Sequence, residues 1–186
     1  MSDHAFLAVD LTDDERHAIA AALTEANPGK RLPGRKTPPE NWHITLRFLG
    51  DCSDLQAERI MHTLEETVDV ETGLVWCSGL DAFPRPSKAG VLYAAIGDPE
   101  GSLRRLAMWC NDAAVAAGFE PDERPYVPHL TLSRARPAVD VSHTFASWDD
   151  FRVRIALRDV TLFRTRRTRD NRSSAIHYER IDILPL

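Results

Sequence analysis

Cysteine is scarce in this chain of 186 residues, which has only Cys52, Cys77 and Cys110. They are an odd number at wide spacing, with no Cys-x-x-Cys pair and no neighbouring histidine at the spacing of zinc ligands. The sequence therefore argues against a disulfide framework.

Long apolar runs are also absent, since no stretch approaches the roughly 18 to 20 residues that a bilayer-spanning helix needs. The first ten residues lack the basic-then-apolar pattern of a signal peptide, so we expect a cytoplasmic protein without a membrane partner. The formal charge of −5 argues against a protein that coats duplex nucleic acid through general electrostatics. Contact with phosphates is expected only at a local basic patch.

What is present is an ordinary globular composition, with 43% apolar and 27% charged residues. We predict one domain over residues 1–186, because no linker separates two independent units. The periodicity predicts strands at 4–11, 42–49, 72–83, 90–97, 151–165 and 174–184, a further strand at the second motif described next, and helices at 12–26, 53–68 and 100–118. This order indicates an α+β fold of two similar lobes.

One four-residue motif, the repeated word, occurs twice. The sequence "HITL" at His43 returns as "HLTL" at His129, 86 residues later. With 7 His, 12 Thr and 19 Leu in the chain, His-x-Thr-Leu is expected about 0.05 times by chance. Two copies therefore need a cause, and each follows a proline-containing segment, "PPENW" or "YVP".

Side chains alternate faces along a strand, so His43 and Thr45 are expected to share one face, as are His129 and Thr131. The apolar residues between and after them, including Phe48 in the first strand, are expected on the opposite face. Two such strands facing one another would form a cleft with two imidazoles and two hydroxyls.

This set of groups suits phosphodiester cleavage. One histidine can remove a proton from the attacking oxygen while its protonated partner supplies one to the departing oxygen, and hydroxyls can donate to the nonbridging oxygens. A zinc site is the rival chemistry, and it is weaker because no third ligand is evident. A single His-x-Thr would be read as an ordinary surface or core histidine.

The two blocks "PPENWHITLRFLG" (38–50) and "YVPHLTLSRAR" (126–136), with the opening "FLAVDL", resemble the 2H phosphoesterases. Within them the similarity is to the RNA 2′,3′-cyclic phosphodiesterase branch, the ThpR or LigT-like proteins formerly called 2′-5′ RNA ligases. The resemblance spans nearly the whole chain. It implies a bilobal fold with pseudo-twofold symmetry, in which two antiparallel sheets line a central cleft and helices lie outside.

The resemblance also implies metal-independent hydrolysis, with no cofactor, of an RNA-terminal 2′,3′-cyclic phosphate to a 2′-phosphomonoester. By position, His43 would be the proton donor and His129 the proton acceptor. Thr45 and Thr131 would bind the nonbridging oxygens, and Arg134 would add positive charge at the phosphate.

Aromatic residues beside the motifs are further candidates. Tyr126 is a candidate for stacking on a base, whereas Trp42 is expected to pack in the core. Of the other histidines, His17 and His62 are assigned to surface helices.

Two basic segments leave alternatives open. "RTRRTRDNR" (164–172) could bind RNA phosphates or form a solvated hairpin paired with nearby acids, and Lys30, Arg31, Arg35 and Lys36 before the first motif pose the same choice. The turn after 164 has no Pro or Gly, unlike relatives, which leaves substrate contacts there open.

Two rival functions remain open. One is a nucleotide or RNA-end binding module without catalysis, and the other is formation or cleavage of a 2′-5′ RNA linkage. Substrates are expected to be RNA ends or small cyclic nucleotides, and the protein is expected to be a monomer.

Overall fold

The computed structural model describes residues 4–29, 31–69, 73–145, 150–170 and 173–186, with side chains described except at 167–170 and 173–175. The strands in these residues are β1 (His4–Asp10), β2 (Arg35–Lys36), β3 (His43–Asp51), β4 (Leu74–Phe83), β5 (Ala89–Gly97), β6 (His129–Val139), β7 (Arg152–Ala156), β8 (Asp159–Asp170) and β9 (Ser173–Pro185). The helices are α1 (Asp13–Glu25), α2 (Asp54–Thr67), α3 (Ser102–Ala116) and the short α4 (Ser142–Phe145).

The strands form one sheet in the order β7-β4-β5-β6-β3-β1-β8-β9, with β2 beside β6. Every strand pairing among the described residues is antiparallel. Counted outward from the centre, the two halves are β3-β1-β8-β9 and β6-β5-β4-β7, each led by a strand that begins with a repeated word. The predicted α+β class is confirmed. The two expected sheets are joined into one where Ile44 of β3 pairs with Leu130 of β6.

Local signals explain where helices α1 and α2 begin and where α3 ends. The side chains of Thr12 and Ser53 each accept a hydrogen bond from the backbone N–H three residues later. The side chains of Glu15 and Gln56 in turn accept from the backbone N–H groups of Thr12 and Ser53. Helix α3 is followed by Gly118 at φ 94°, the left-handed position that ends many helices. No helix among the described residues is long and apolar enough to cross a bilayer.

The main core lies between the helices and one face of the sheet. Ile44 and Leu130, at the centre of the sheet, are fully buried there with Ile60 of α2 and Leu106 of α3. Each such side chain contributes roughly 1.5 to 3 kcal/mol when it is fully removed from water. This packing leaves the opposite face of β3 and β6 available for the polar residues of the two repeated words.

The stretch predicted as one strand at 151–165 is two strands in different halves of the sheet, so that prediction was wrong. Strand β7 pairs with β4, whereas β8 pairs with β1. The chain crosses at Leu157, which is fully buried, and Arg158, whose guanidinium donates to the Glu15 carboxylate of α1 at 3.0 Å. Alternating strand-type residues continue through the crossing, so periodicity alone does not mark it.

The proline-rich segment before the first repeated word packs against β6. Its short strand β2 pairs Arg35 with Arg134, and the Thr37 N–H donates to the Leu132 carbonyl at 2.8 Å. Gly34 has φ 86°, and a Cβ atom there would lie 2.5 Å from the Arg134 carbonyl oxygen. Only glycine fits this close approach of the segment to the backbone of β6, and the approach places the segment next to Arg134.

Replacing Gly34 by Ala is therefore expected to lower the free energy of unfolding by roughly 2 to 4 kcal/mol, because left-handed strain is added to a backbone clash. The matched control is Gly29→Ala, which has φ 76° and no atom within 4 Å of the added Cβ. It carries the strain alone and is expected to cost about 1 kcal/mol. Urea denaturation measures both, and equal losses would contradict the close approach.

Candidate active site

The two repeated words lie side by side at the centre of the sheet. Because Ile44 pairs with Leu130 in antiparallel register, the residues on either side of this pair are opposed as well. His43 lies opposite Thr131, and Thr45 lies opposite His129. This register arranges the four residues as two opposed pairs, called the square here, with the histidines on one diagonal and the threonines on the other.

Each central strand carries a β-bulge at the leucine of its word. In β3, Thr45 pairs with Ala8 and Arg47 with Leu7, so Leu46 is the extra residue. In β6, Thr131 pairs with Tyr93 and Ser133 with Leu92, so Leu132 is the extra residue. A bulge shifts the alternation of the residues that follow it.

The bulges place the residue five positions after each histidine on the face of the sheet that bears the imidazoles. Arg134 pairs with Val91, two residues before the Tyr93 that pairs with Thr131, so it shares the threonine's face. Phe48 holds the equivalent position in β3 and is 52% exposed. The expectation that Phe48 lies on the apolar core face was wrong, because the bulge reverses its side.

His43 is held by its backbone neighbours and by aromatic rings. Its Nδ1 lies 2.8 Å from the Asn41 carbonyl oxygen. A carbonyl only accepts, so Nδ1 carries the hydrogen and Nε2 is the nitrogen left for a ligand. The ring packs 4.7 Å from Phe6 and 5.1 Å, edge-on, from Tyr178, measured between centroids.

His129 has the same arrangement in the other half of the sheet. Its Nδ1 lies 2.8 Å from the Val127 carbonyl oxygen, again two residues earlier in the chain. Phe83 packs edge-on at 5.0 Å and Tyr93 at 5.3 Å. Each imidazole is thus fixed in the same tautomer and supported by aromatic neighbours.

Burial lowers the pKa of both histidines. The pKa of His43 falls to about 4, mainly through desolvation, although the Asn41 carbonyl and the Asp10 carboxylate oppose the shift. The pKa of His129 is also lowered by burial and opposed by the Val127 carbonyl. The positive charge of Arg134 lowers both pKa values, so it lies within electrostatic range of both rings.

Asp10 is a neighbour that sequence reasoning missed. It pairs with His43 across β1 and β3, and its carboxylate accepts from Arg16 at 2.6 Å and Arg180 at 2.7 Å. The Asp10 carboxylate favours a proton on His43, whereas no carboxylate contributes to the pKa shift of His129. The two histidines are therefore electrostatically unequal.

The remaining predicted site residues are also placed. Within the described residues, neither the Thr45 nor the Thr131 hydroxyl forms a hydrogen bond with protein, so both are available to a ligand. Arg134 is exposed and has no ion-pair partner among the residues described. The Tyr126 hydroxyl donates to the Thr45 carbonyl oxygen at 3.1 Å, which ties the loop before His129 to β3.

A cavity of about 660 Å³ adjoins the square, a volume typical of small-ligand sites. His129, both threonines, Arg134 and Tyr126 line it, and His43 is not among its lining residues. Three exposed apolar residues also line it, namely Phe48, Met108 and Val127. The cavity therefore combines a polar end at the square with an apolar wall.

The basic segments differ in what they contact. Arg164 pairs with Asp54 at 2.8 Å and Arg166 with Glu179 at 2.7 Å, as expected for a solvated hairpin. The Arg167 and Arg169 side chains and residue Arg172 lie outside the described residues, as does Lys30.

In the other basic segment, Arg35 lies opposite Arg134. Burial raises the pKa of Tyr178, and the positive charges of Arg134 and Arg35 oppose that shift. Arg35 therefore lies near the aromatic ring that supports His43. Arg31 and Lys36 are exposed.

Other expectations for aromatic and histidine residues are met. Trp42 is 6% exposed and packs in the main core, with its indole N–H donating to the Thr37 carbonyl at 3.0 Å. His17 and His62 are exposed on α1 and α2. Among the described residues, no three His, Cys, Asp or Glu side chains come together as a metal site would require.

The chain is similar to proteins of one family. A family model described as the 2'-5' RNA ligase superfamily matches residues 8–169. The RNA 2',3'-cyclic phosphodiesterase of Aeropyrum pernix is 35% identical over 118 residues, covering 63% of this chain and 66% of that protein. That of Methanothermobacter thermautotrophicus is 31% identical over 137 residues, covering 73% of each. The chain thus spans about two thirds of the first relative.

Solved structures share the fold. The crystal structure of E. coli LigT complexed with 3'-AMP superposes with a TM-score of 0.77 at 22% identity, covering 100% of this chain and 99% of that chain. A crystal structure described as a phosphoesterase gives a TM-score of 0.78 at 23% identity over the same coverage.

Proposed function

This chain belongs to the 2'-5' RNA ligase superfamily, and from that premise we propose that it hydrolyses the 2′,3′-cyclic phosphate at an RNA end to a 2′-phosphomonoester. The main support for the proposal is the square of His43, Thr131, His129 and Thr45. The pairing of Ile44 with Leu130 brings these four residues together. The curated relatives named RNA 2',3'-cyclic phosphodiesterase support the choice of substrate.

The diagonal placement of the histidines suits in-line displacement at phosphorus. Diagonal neighbours in an antiparallel pair have Cα atoms roughly 7 to 8 Å apart, which leaves room for one phosphate between the rings. An acid and a base on opposite sides of phosphorus serve the departing and attacking oxygens. The threonines, at the other two corners, donate to the nonbridging oxygens, where negative charge develops.

The proposed reaction is one displacement at phosphorus with two proton transfers. His129 Nε2 takes a proton from water as the water oxygen attacks phosphorus, and the bond from phosphorus to O3′ breaks. O3′ receives the proton carried by His43 Nε2, which leaves a free 3′-hydroxyl and a 2′-phosphate. Arg134 adds a positive charge beside the phosphate.

The assignment of His43 as proton donor is supported by Asp10, which favours a proton on that ring. Burial keeps both imidazoles mainly neutral at pH 7 in the free protein, since both pKa values lie below 6.5. The anionic phosphate brings negative charge against both rings and raises both pKa values. Binding of the substrate therefore restores the proton that His43 must donate.

The nucleoside is expected to occupy the 660 Å³ cavity. Its apolar wall includes Phe48 and Met108, which are 52% and 53% exposed without a ligand. Unpaired bases commonly stack on exposed aromatic rings. The solved structure of E. coli LigT with 3'-AMP is in keeping with a nucleotide in this fold.

Replacing His43 or His129 by Ala is expected to reduce turnover of a 2′,3′-cyclic-ended oligonucleotide by about 10²- to 10⁴-fold, because each removes a proton-transfer group. His17→Ala, an exposed histidine on α1, is the matched control and should leave turnover unchanged. The assay is run in EDTA, and the position of the product phosphate is determined by ³¹P NMR.

Several outcomes of that assay would contradict the proposal. Full activity of either motif variant, loss of wild-type activity in EDTA or a 3′-phosphate product would each overturn the corresponding part. Tight binding of the oligonucleotide by wild type with no product would instead support a binding module.

Activity should depend on pH as a bell, because one imidazole must be neutral and the other protonated. The profile of kcat/KM reports the free protein, in which burial lowers both histidine pKa values, so its maximum should lie on the acid side of 6.5. The profile of kcat reports the complex, in which the phosphate raises both, so its maximum should lie at higher pH. Coincident maxima would show that phosphate does not act on the two rings.

A further inference from the structure

A second cavity, of about 630 Å³, continues from the first along the end of β6. The two cavities share Phe83, Val91 and Arg134 in their linings. The second adds Arg136, which lies two residues beyond Arg134 on the same strand and is exposed. The second cavity, called the groove here, therefore adjoins the first at Arg134, beside the proposed phosphate position.

The second cavity is positively charged. Arg134 and Arg136 line it, and no acidic residue does. Arg35 lies opposite Arg134 in the sheet, so three arginines are concentrated here in a protein of net charge −5.

The arginines that line this groove differ from those that are ion-paired elsewhere in the described chain. Arg134 and Arg136 have no ion-pair partner among the described residues, whereas eight others do, namely Arg16, Arg47, Arg104, Arg124, Arg158, Arg164, Arg166 and Arg180. Unpaired guanidinium groups that line a groove are suited to binding phosphate.

The chemistry of the substrate gives the groove a direction. A terminal nucleotide whose 2′ and 3′ oxygens are closed in a cyclic phosphate can continue only through its 5′ oxygen. With the cyclic phosphate at the square and the terminal nucleoside in the first cavity, the preceding phosphodiester can enter the second cavity, which adjoins the first at Arg134.

We propose that the groove lined by Arg134 and Arg136 binds the phosphodiester that precedes the terminal nucleotide, so that the preferred substrate is a cyclic-ended oligonucleotide. The inference rests on the proposed function. It assigns Arg136 to substrate selection, separate from the chemistry at His43 and His129.

The test compares 2′,3′-cyclic AMP with a cyclic-ended trinucleotide on wild type and on Arg136→Gln. The variant should raise KM for the trinucleotide by about three- to tenfold with kcat preserved, because one phosphate contact is lost. Its effect on the mononucleotide should be within about twofold. Arg59→Gln, an exposed arginine on α2 that lines neither cavity, is the matched control.

Salt dependence separates a phosphate contact from a general structural effect. The slope of log(kcat/KM) against log salt for the trinucleotide should become shallower by about 0.7 in Arg136→Gln, since one contact with a single strand is removed. Arg136→Lys, which keeps the charge, should retain the wild-type slope. Mononucleotide slopes should be the same for all variants.

Equal losses on the two substrates, or an unchanged salt slope in Arg136→Gln, would overturn the inference while leaving the proposed function intact. A wild-type protein that turns over both substrates with equal kcat/KM would do the same. Failure of wild type to turn over either substrate would overturn the proposed function and this inference with it.

Discussion

A single antiparallel pairing, between Ile44 and Leu130, joins strands whose repeated words lie 86 residues apart in the chain. Both side chains are fully buried against the helices. The pairing that joins the two halves of the sheet therefore also sets the register of the polar face. One residue of slippage would turn the histidines and threonines toward the core.

The two imidazoles are held by contacts that are repeated in each half of the sheet. In both cases Nδ1 donates to the carbonyl oxygen two residues earlier, and aromatic rings from other strands pack against the imidazole. These contacts fix Nε2 as the free nitrogen before any ligand binds. The burial they require also lowers the pKa of each ring, and a bound anion would raise it again.

The α+β class and the co-facing His and Thr pairs could be predicted from sequence because two-residue alternation is a local property. Phe48 was assigned to the wrong face because a bulge at Leu46 depends on pairing with β1, which one strand's sequence does not reveal. Tyr178 and Asp10 were missed for a similar reason. They reach His43 from β9 and β1, and only the strand order brings them there.

The proposed mechanism requires one phosphate to contact both histidine rings. This can be tested by titrating the protein, ¹⁵N-labelled at histidine, with a nucleoside 2′-monophosphate while the ring nitrogens are observed by NMR. We expect the Nε2 signals of His43 and His129 to shift together with one saturation curve, and both pKa values to rise in the complex. A response from one ring alone, or two curves of different affinity, would contradict it.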